Sequence, residues 1–112
     1  VIPRRVRLDV LDRDDLTCVR CGKPAHLAHY SIHHRKPRGM GGSRDPRING
    51  KANLLLLCGS GTDGCHGHVE AHREWALANG YLLRDVADAP LTPVLTYAGW
   101  RLFDDHGGIE AA

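Results

Sequence analysis

Four cysteines fall into two pairs, Cys18-x-x-Cys21 and Cys58-x6-Cys65, with 36 residues between them. Zinc takes four soft ligands in a tetrahedron, and two close pairs brought together by folding supply them at little entropic cost. Threaded around the second pair is a histidine and asparagine series: His33-His34, then Asn53, then His66 directly after Cys65. A neutral imidazole, with an ordinary pKa of ~6.5, can accept a proton from water at neutral pH, and imidazole also binds metals. Other uses of the same residues stay open. The cysteines could form two disulfides or remain buried thiols. His66 could replace Cys65 on the zinc, and His33, His34 and His66 could form a second structural zinc site.

The charge pattern supplies a partner for such chemistry. The net charge is only +2, yet residues 35–51 carry Arg35, Lys36, Arg38, Arg44, Arg47 and Lys51 against one acid, Asp45. The other 95 residues hold nine bases and twelve acids. A basic island on an otherwise acidic chain is an electrostatic footprint that suits phosphates, although a solvated basic loop has the same composition. No apolar run approaches a membrane span, and Val1-Ile2-Pro3-Arg4-Arg5 lacks a secretory pattern. A soluble, cytoplasmic protein without a membrane partner is expected, a setting in which paired cysteines hold metal sooner than form disulfides.

These residues need elements to position them. At 112 residues the chain reads as a single α+β domain with a small core, since only 5% of residues are aromatic, so a metal staple would help. Pro3 to about Asp14 predicts an opening helix, with Val6, Val10 and Leu11 at helical spacing. Residues 26–34 predict a strand, 35–52 a long loop with four glycines and two prolines, and 53–58 a buried strand or single turn. A helix is expected from about Cys65 to Asn79, closed by Gly80, then a strand from Tyr81 to Val86. Pro93–Tyr97 and Trp100–Phe103 flank Ala98-Gly99 as a hairpin, and the tail from Asp104 is expected to fray. His26, His29 and His106 read as ordinary surface or satisfied core residues.

Taken in order, C18-V-R-C21-G, I32-H-H-R-K-P-R-G-M-G-G42, A52-N-L-L-L-L-C58 and G64-C-H-G-H-V-E70 resemble the zinc-bearing HNH endonucleases of bacteria and their phages. The resemblance covers roughly residues 16–80, leaving 81–112 as a C-terminal strand extension. It implies a ββα-metal fold: two strands with a long loop, packed on a helix and gripping one divalent cation beside a four-cysteine structural zinc. Residue by residue, it makes His34 the general base that activates water. It places His33 and His66 as metal ligands and gives Asn53 the bond across the loop backbone that orients the base. It implies cleavage of DNA leaving 5′-phosphate and 3′-hydroxyl ends. In phages such enzymes often act with the packaging terminase, which makes terminase a candidate partner in the host cytoplasm. The family commonly has aspartate where His33 stands, and imidazole there shifts preference from magnesium toward manganese, nickel or zinc.

Two ladders at i, i+4 spacing compete to complete the catalytic metal site: His66 with Glu70, and His68 with His72. Their starting residues lie about 200° apart on a helix, so only one can face His33. With His66 matched to a ligand by the resemblance, Glu70 is expected to join it, leaving Cys18, Cys21, Cys58 and Cys65 to the zinc. Arg35, Lys36, Arg38, Arg44 and Lys51 are expected to hold DNA phosphates. The rival reading is a non-catalytic zinc-stapled DNA-binding module, which has no need of a second imidazole beside a ligand.

Overall fold

The computed structural model describes residues 1–27, 29–39 and 44–112, with the side chain of His26 excepted. Pro3, lacking a backbone N–H, stands as the N-cap of helix α1 (Arg4–Arg13). The helix stops where Asp15 and Leu16 take φ of 54° and 49°, and the Leu16 N–H turns back to the Leu11 carbonyl. Its end is fastened by a buried ion pair. Asp14 accepts from Arg13 Nε at 2.8 Å and from the Leu56 N–H at 3.0 Å. The Arg13 fork also reaches the Lys51 and Leu54 carbonyls at 2.7 and 2.6 Å.

Strands β1 (Tyr30–His34) and β2 (Leu54–Cys58) pair antiparallel, with His33 opposite Leu55 and His34 opposite Leu54. Side chains alternate across a strand, so the four leucines of β2 divide between two faces. Leu54 and Leu56 pack with Val10, Ala25 and Ile32 beneath α1. Leu55 and Leu57 pack with Val69, Tyr81, Val94 and Phe103. All four are fully buried, each contributing about 1.5–3 kcal/mol of transfer free energy. The expected strand at 26–34 is shorter than predicted, because Ala25–Leu27 forms a 3-10 turn before it. Between the strands, Pro46–Asn49 and Lys51–Asn53 are 3-10 turns where an open loop was predicted.

The helix expected over residues 65–79 is two: α2 (Gly64–Ala71) and α3 (Arg73–Ala78), broken at His72 (φ −123°, ψ 75°). The His72 carbonyl starts α3 by accepting from Ala76, while its Nδ1 lies 2.8 Å from the His68 carbonyl oxygen. Gly80 ends α3 at φ +84°, a conformation that brings it against the Pro93 carbonyl where a Cβ has no room.

The strand predicted at Tyr81–Val86 is absent among the described residues, and the backbone bonds say why. The Tyr81 and Leu82 N–H groups cap α3 at the Ala76 carbonyl, and the Leu83 N–H goes to the Arg35 carbonyl. No ladder is left to form. A 3-10 segment, Val86–Leu91, leads into a second antiparallel sheet of β3 (Val94–Thr96), β4 (Gly99–Phe103) and β5 (Ile109–Ala111), in the order β3-β4-β5. The predicted hairpin is therefore present, and the tail predicted to fray is strand β5. The Asp104 carboxylate accepts from the His106 and Gly108 N–H groups, both at 2.8 Å, and turns the chain back. Among the described residues no helix is long and apolar enough to cross a membrane. The architecture is α+β with antiparallel strands.

Candidate functional site

Two groups of metal-ligating side chains occur among the described residues. In the first, the sulfurs of Cys18, Cys21, Cys58 and Cys65 all lie within 4.8 Å of one another. None of the four is in a disulfide. Each pair carries an amide directed at sulfur, Cys21 N to Cys18 Sγ at 3.5 Å and Cys65 N to Cys58 Sγ at 3.4 Å. Arg20 Nη1 adds a third donor, 3.4 Å from Cys65 Sγ, with its guanidinium over the Trp75 ring. Burial pushes the Cys65 thiol up to about 12 and raises Cys18 too. Thiols such as these two, which resist ionisation on their own, become good ligands once a cation supplies the missing charge.

The wide spacing of the second pair has a local explanation. Ser60 and Asp63 bridge each other across a tight turn, and Gly64, at φ +63°, folds back under Cys58. A Cβ on Gly64 would lie 2.7 Å from the Cys58 carbonyl oxygen. The intervening residues leave as a closed loop, so six of them act as a short knuckle.

The second group is His33, His66 and Glu70, whose ligand atoms also lie within 4.8 Å of one another. His33 projects from β1, and the other two are one turn apart on α2. The backbone and a hydroxyl fix both imidazole tautomers. His33 Nε2 is 2.6 Å from the Tyr81 carbonyl oxygen, which can only accept, so Nε2 carries the proton and Nδ1 the lone pair. Ser31 donates its hydroxyl to the Gly59 carbonyl at 2.8 Å, and so accepts from His66 Nδ1 at 2.6 Å. That leaves His66 Nε2 with its lone pair.

Both free nitrogens point at Glu70. Its Oε1 is 3.5 Å from His33 Nδ1 and 3.3 Å from His66 Nε2. His33 Nδ1 is buried with no hydrogen-bond partner, an arrangement that is costly unless something else occupies its lone pair. A hydrogen bond from His33, then the positive charge of His33 and His66, each present when the ring is protonated, hold the Glu70 carboxyl below its ordinary value. Burial, then the neighbouring His33, keeps His66 below its own. Two lone pairs and an ionised carboxylate, converging from a strand and a helix, fit a divalent cation.

His34, next along β1, points to the opposite face from His33 yet opens on the same cleft as His66 and Glu70, whose walls include Ile32, Pro37 and Arg38. Its Nε2 is 2.8 Å from Asn49 Oδ1, while Asn49 Nδ2 donates to the Val1 carbonyl at 3.2 Å. The amide is thereby oriented oxygen toward the ring, so His34 Nε2 bears the proton and Nδ1 is free to accept one. Burial, then the positive charge of Arg38 and that of His33 when protonated, lower its pKa against the opposing effect of Asn49. The ring is neutral at neutral pH.

Asn53 is fully buried and clamps the long loop. Its Oδ1 accepts from Lys36 N at 2.7 Å, and its Nδ2 donates to the Ile48 carbonyl at 2.8 Å. The cross-loop bond expected of Asn53 is present, but the side chain touching His34 is Asn49.

Two of the expected phosphate contacts need correction. Arg35 is completely buried, and its guanidinium donates to the carbonyls of Gly80, Ala52, Ala89 and Thr92 at 2.7–2.9 Å. It ties the C-terminal segment to the end of β1 and has no face for DNA; burial lowers its pKa to about 10. Lys51 is ion-paired with Asp9 at 3.0 Å, in a depression with Arg5, Asp12 and His106 away from the cleft. Arg38 and Arg44 are exposed and Lys36 is half-buried, while Met40–Ser43, with their two glycines, lie outside the described residues. His68 and His72 stack on each other with ring centroids 4.2 Å apart, beside Trp75 and away from His33.

Ser31, Asn49 and the Tyr81 carbonyl are the parts of the site that sequence reasoning missed. Ser31 had a signal, since it precedes His33 by two in a strand and so shares its face. Asn49 and a backbone oxygen 48 residues beyond His33 had none. No protein-family model, curated protein or solved structure matches the chain.

Proposed function

We propose that the chain is a metal-dependent DNA endonuclease of HNH type, with β1, β2 and α2 as its ββα-metal unit and a structural zinc on Cys18, Cys21, Cys58 and Cys65. One observation carries the reading. The buried, unpartnered Nδ1 of His33 faces Glu70 and the free Nε2 of His66, and the adjacent His34 offers a second lone pair to the same cleft. A purely structural site has no use for that second imidazole.

In this reading His34 Nδ1 takes a proton from water as its oxygen attacks phosphorus, while Asn49 holds the opposite ring nitrogen. The bond from phosphorus to the 3′ oxygen breaks and that oxygen takes a proton from solvent water, leaving 5′-phosphate and 3′-hydroxyl ends. A divalent cation on His33, His66 and Glu70 would stabilise the charge that develops on the phosphoryl and leaving oxygens. Two imidazoles favour manganese, nickel or zinc, and Glu70 keeps magnesium within reach. Arg38, Arg44 and Lys36 hold flanking phosphates. Packaging terminase remains the candidate protein partner, on the resemblance alone.

The test is supercoiled plasmid incubated with the zinc-loaded protein, freed of other divalent ions by mild chelation, and each of these ions in turn. Cleavage is expected only with added ion. Glu70→Ala should need far more metal, and His72→Ala should behave as wild type. Strong metal dependence of His72→Ala with an unaffected Glu70→Ala would overturn the ligand set.

A further inference from the structure

We infer that α1 carries a second duplex-binding surface, formed by Arg4 and Arg7, that extends the cleft onto flanking DNA; this rests on the DNA reading above. Three of the first four residues of α1 are arginines, no acidic residue stands in the first turn, and no side chain caps it. Cations there oppose the helix dipole, so their placement works against stability. Arg5 has a partner in Asp9 at 3.4 Å. Among the described residues no carboxylate pairs with Arg4 or Arg7, and both are exposed. At 3.6 residues per turn they sit about 200° and about 100° from Val6, which packs inward. Two unpaired cations held away from the core, where the fold gains nothing from them, suit an anionic partner.

Two contacts connect this helix to the cleft. Asn49 bonds His34 with one end of its amide and the Val1 carbonyl with the other. Ile2 and Val6 pack on the cluster containing Ile32, which is itself a wall of the cleft. Three extended residues span at most about 10 Å, so Arg4 lies within roughly 20 Å of His34. At 3.4 Å per nucleotide that is at most about six nucleotides along one strand. A duplex seated on His34 and Arg38 that runs toward α1 meets its first turn within that distance, and regular phosphates are the only anions it presents there.

The experiment measures binding of the zinc-loaded protein, without added divalent ion, to a labelled duplex of about 24 base pairs across a salt series. Arg4→Gln/Arg7→Gln should lower the slope of log affinity against log salt by about two. Arg4→Lys/Arg7→Lys should keep the wild-type slope. Melting temperature of the glutamine pair should be equal to wild type or higher, separating lost binding from lost fold. An unchanged slope, or the same loss with lysines, would overturn the surface. Plasmid cleavage reports separately: a lowered slope with no cleavage keeps this surface and removes the nuclease, whereas cleavage with an unchanged slope does the reverse.

Discussion

His33 donates its Nε2 proton to the carbonyl oxygen of Tyr81 at 2.6 Å, and this single bond turns the other ring nitrogen into a buried lone pair. The partner lies in the C-terminal segment, beyond both helices that follow β2. That segment is held in turn by Arg35, whose Nε donates to the Gly80 carbonyl one residue earlier. The candidate metal site therefore depends on residues 80–92 as much as on the strand and helix that bear its ligands.

Arg35 should behave as a structural residue. Arg35→Met leaves four carbonyls without their donor, three of them in buried bonds, a loss of about 3 kcal/mol or more. Thermal denaturation should show the midpoint falling by more than about 10 °C. A DNA-contacting arginine would instead leave stability unchanged and flatten the salt dependence of binding.

Gly64 should govern the four-cysteine site. Alanine there meets the Cys58 carbonyl at 2.7 Å in a left-handed conformation, strain of about 1–3 kcal/mol. Zinc affinity should drop by about tenfold, read by competition with a colorimetric chelator. Gly61→Ala, in open space in the same loop, is the control and should bind zinc normally.

Much of the site was legible because its signals are local. The pairing of cysteines, the adjacency of His33 and His34, and the i, i+4 step from His66 to Glu70 are spacings a sequence displays directly. The α+β character and the opening helix follow from periodicity in the same way. Tyr81–Leu83 defeated that reasoning because its apolar residues suit a strand, while its backbone groups are taken by α3, Arg35 and His33. Arg35 looked like its basic neighbours, since nothing local distinguishes a buried guanidinium from an exposed one. Asn49 gains its role only when the loop closes over His34.

Acid should weaken the fold through its buried histidines. Burial lowers the pKa of His34 and of His66 in the folded protein, so below ~6.5 the unfolded chain binds more protons than the native one. For metal-free protein, stability should be constant above that pH and decline as pH falls through the lowered values. Denaturant midpoints from pH 8 to about 5 check this, and His34→Gln should reduce the slope. A flat profile for the wild type would contradict it.

Mild chelation should separate the two metals. The His33–His66–Glu70 ion should leave first, since Glu70 is half exposed and the set has three ligands. Cleavage should stop reversibly while four-thiolate zinc persists and circular dichroism is unchanged. Simultaneous loss of zinc, fold and cleavage at one chelator concentration would show that the sites are not independent.

The central claim is that His34 is a base and not a ligand, and the most direct measurement is single-turnover plasmid cleavage by His34→Ala at saturating divalent ion. The expected result is a rate lower by about 10²–10⁴-fold, with zinc content, melting temperature and duplex affinity close to wild type. Cleavage by His34→Ala at the wild-type rate would contradict it.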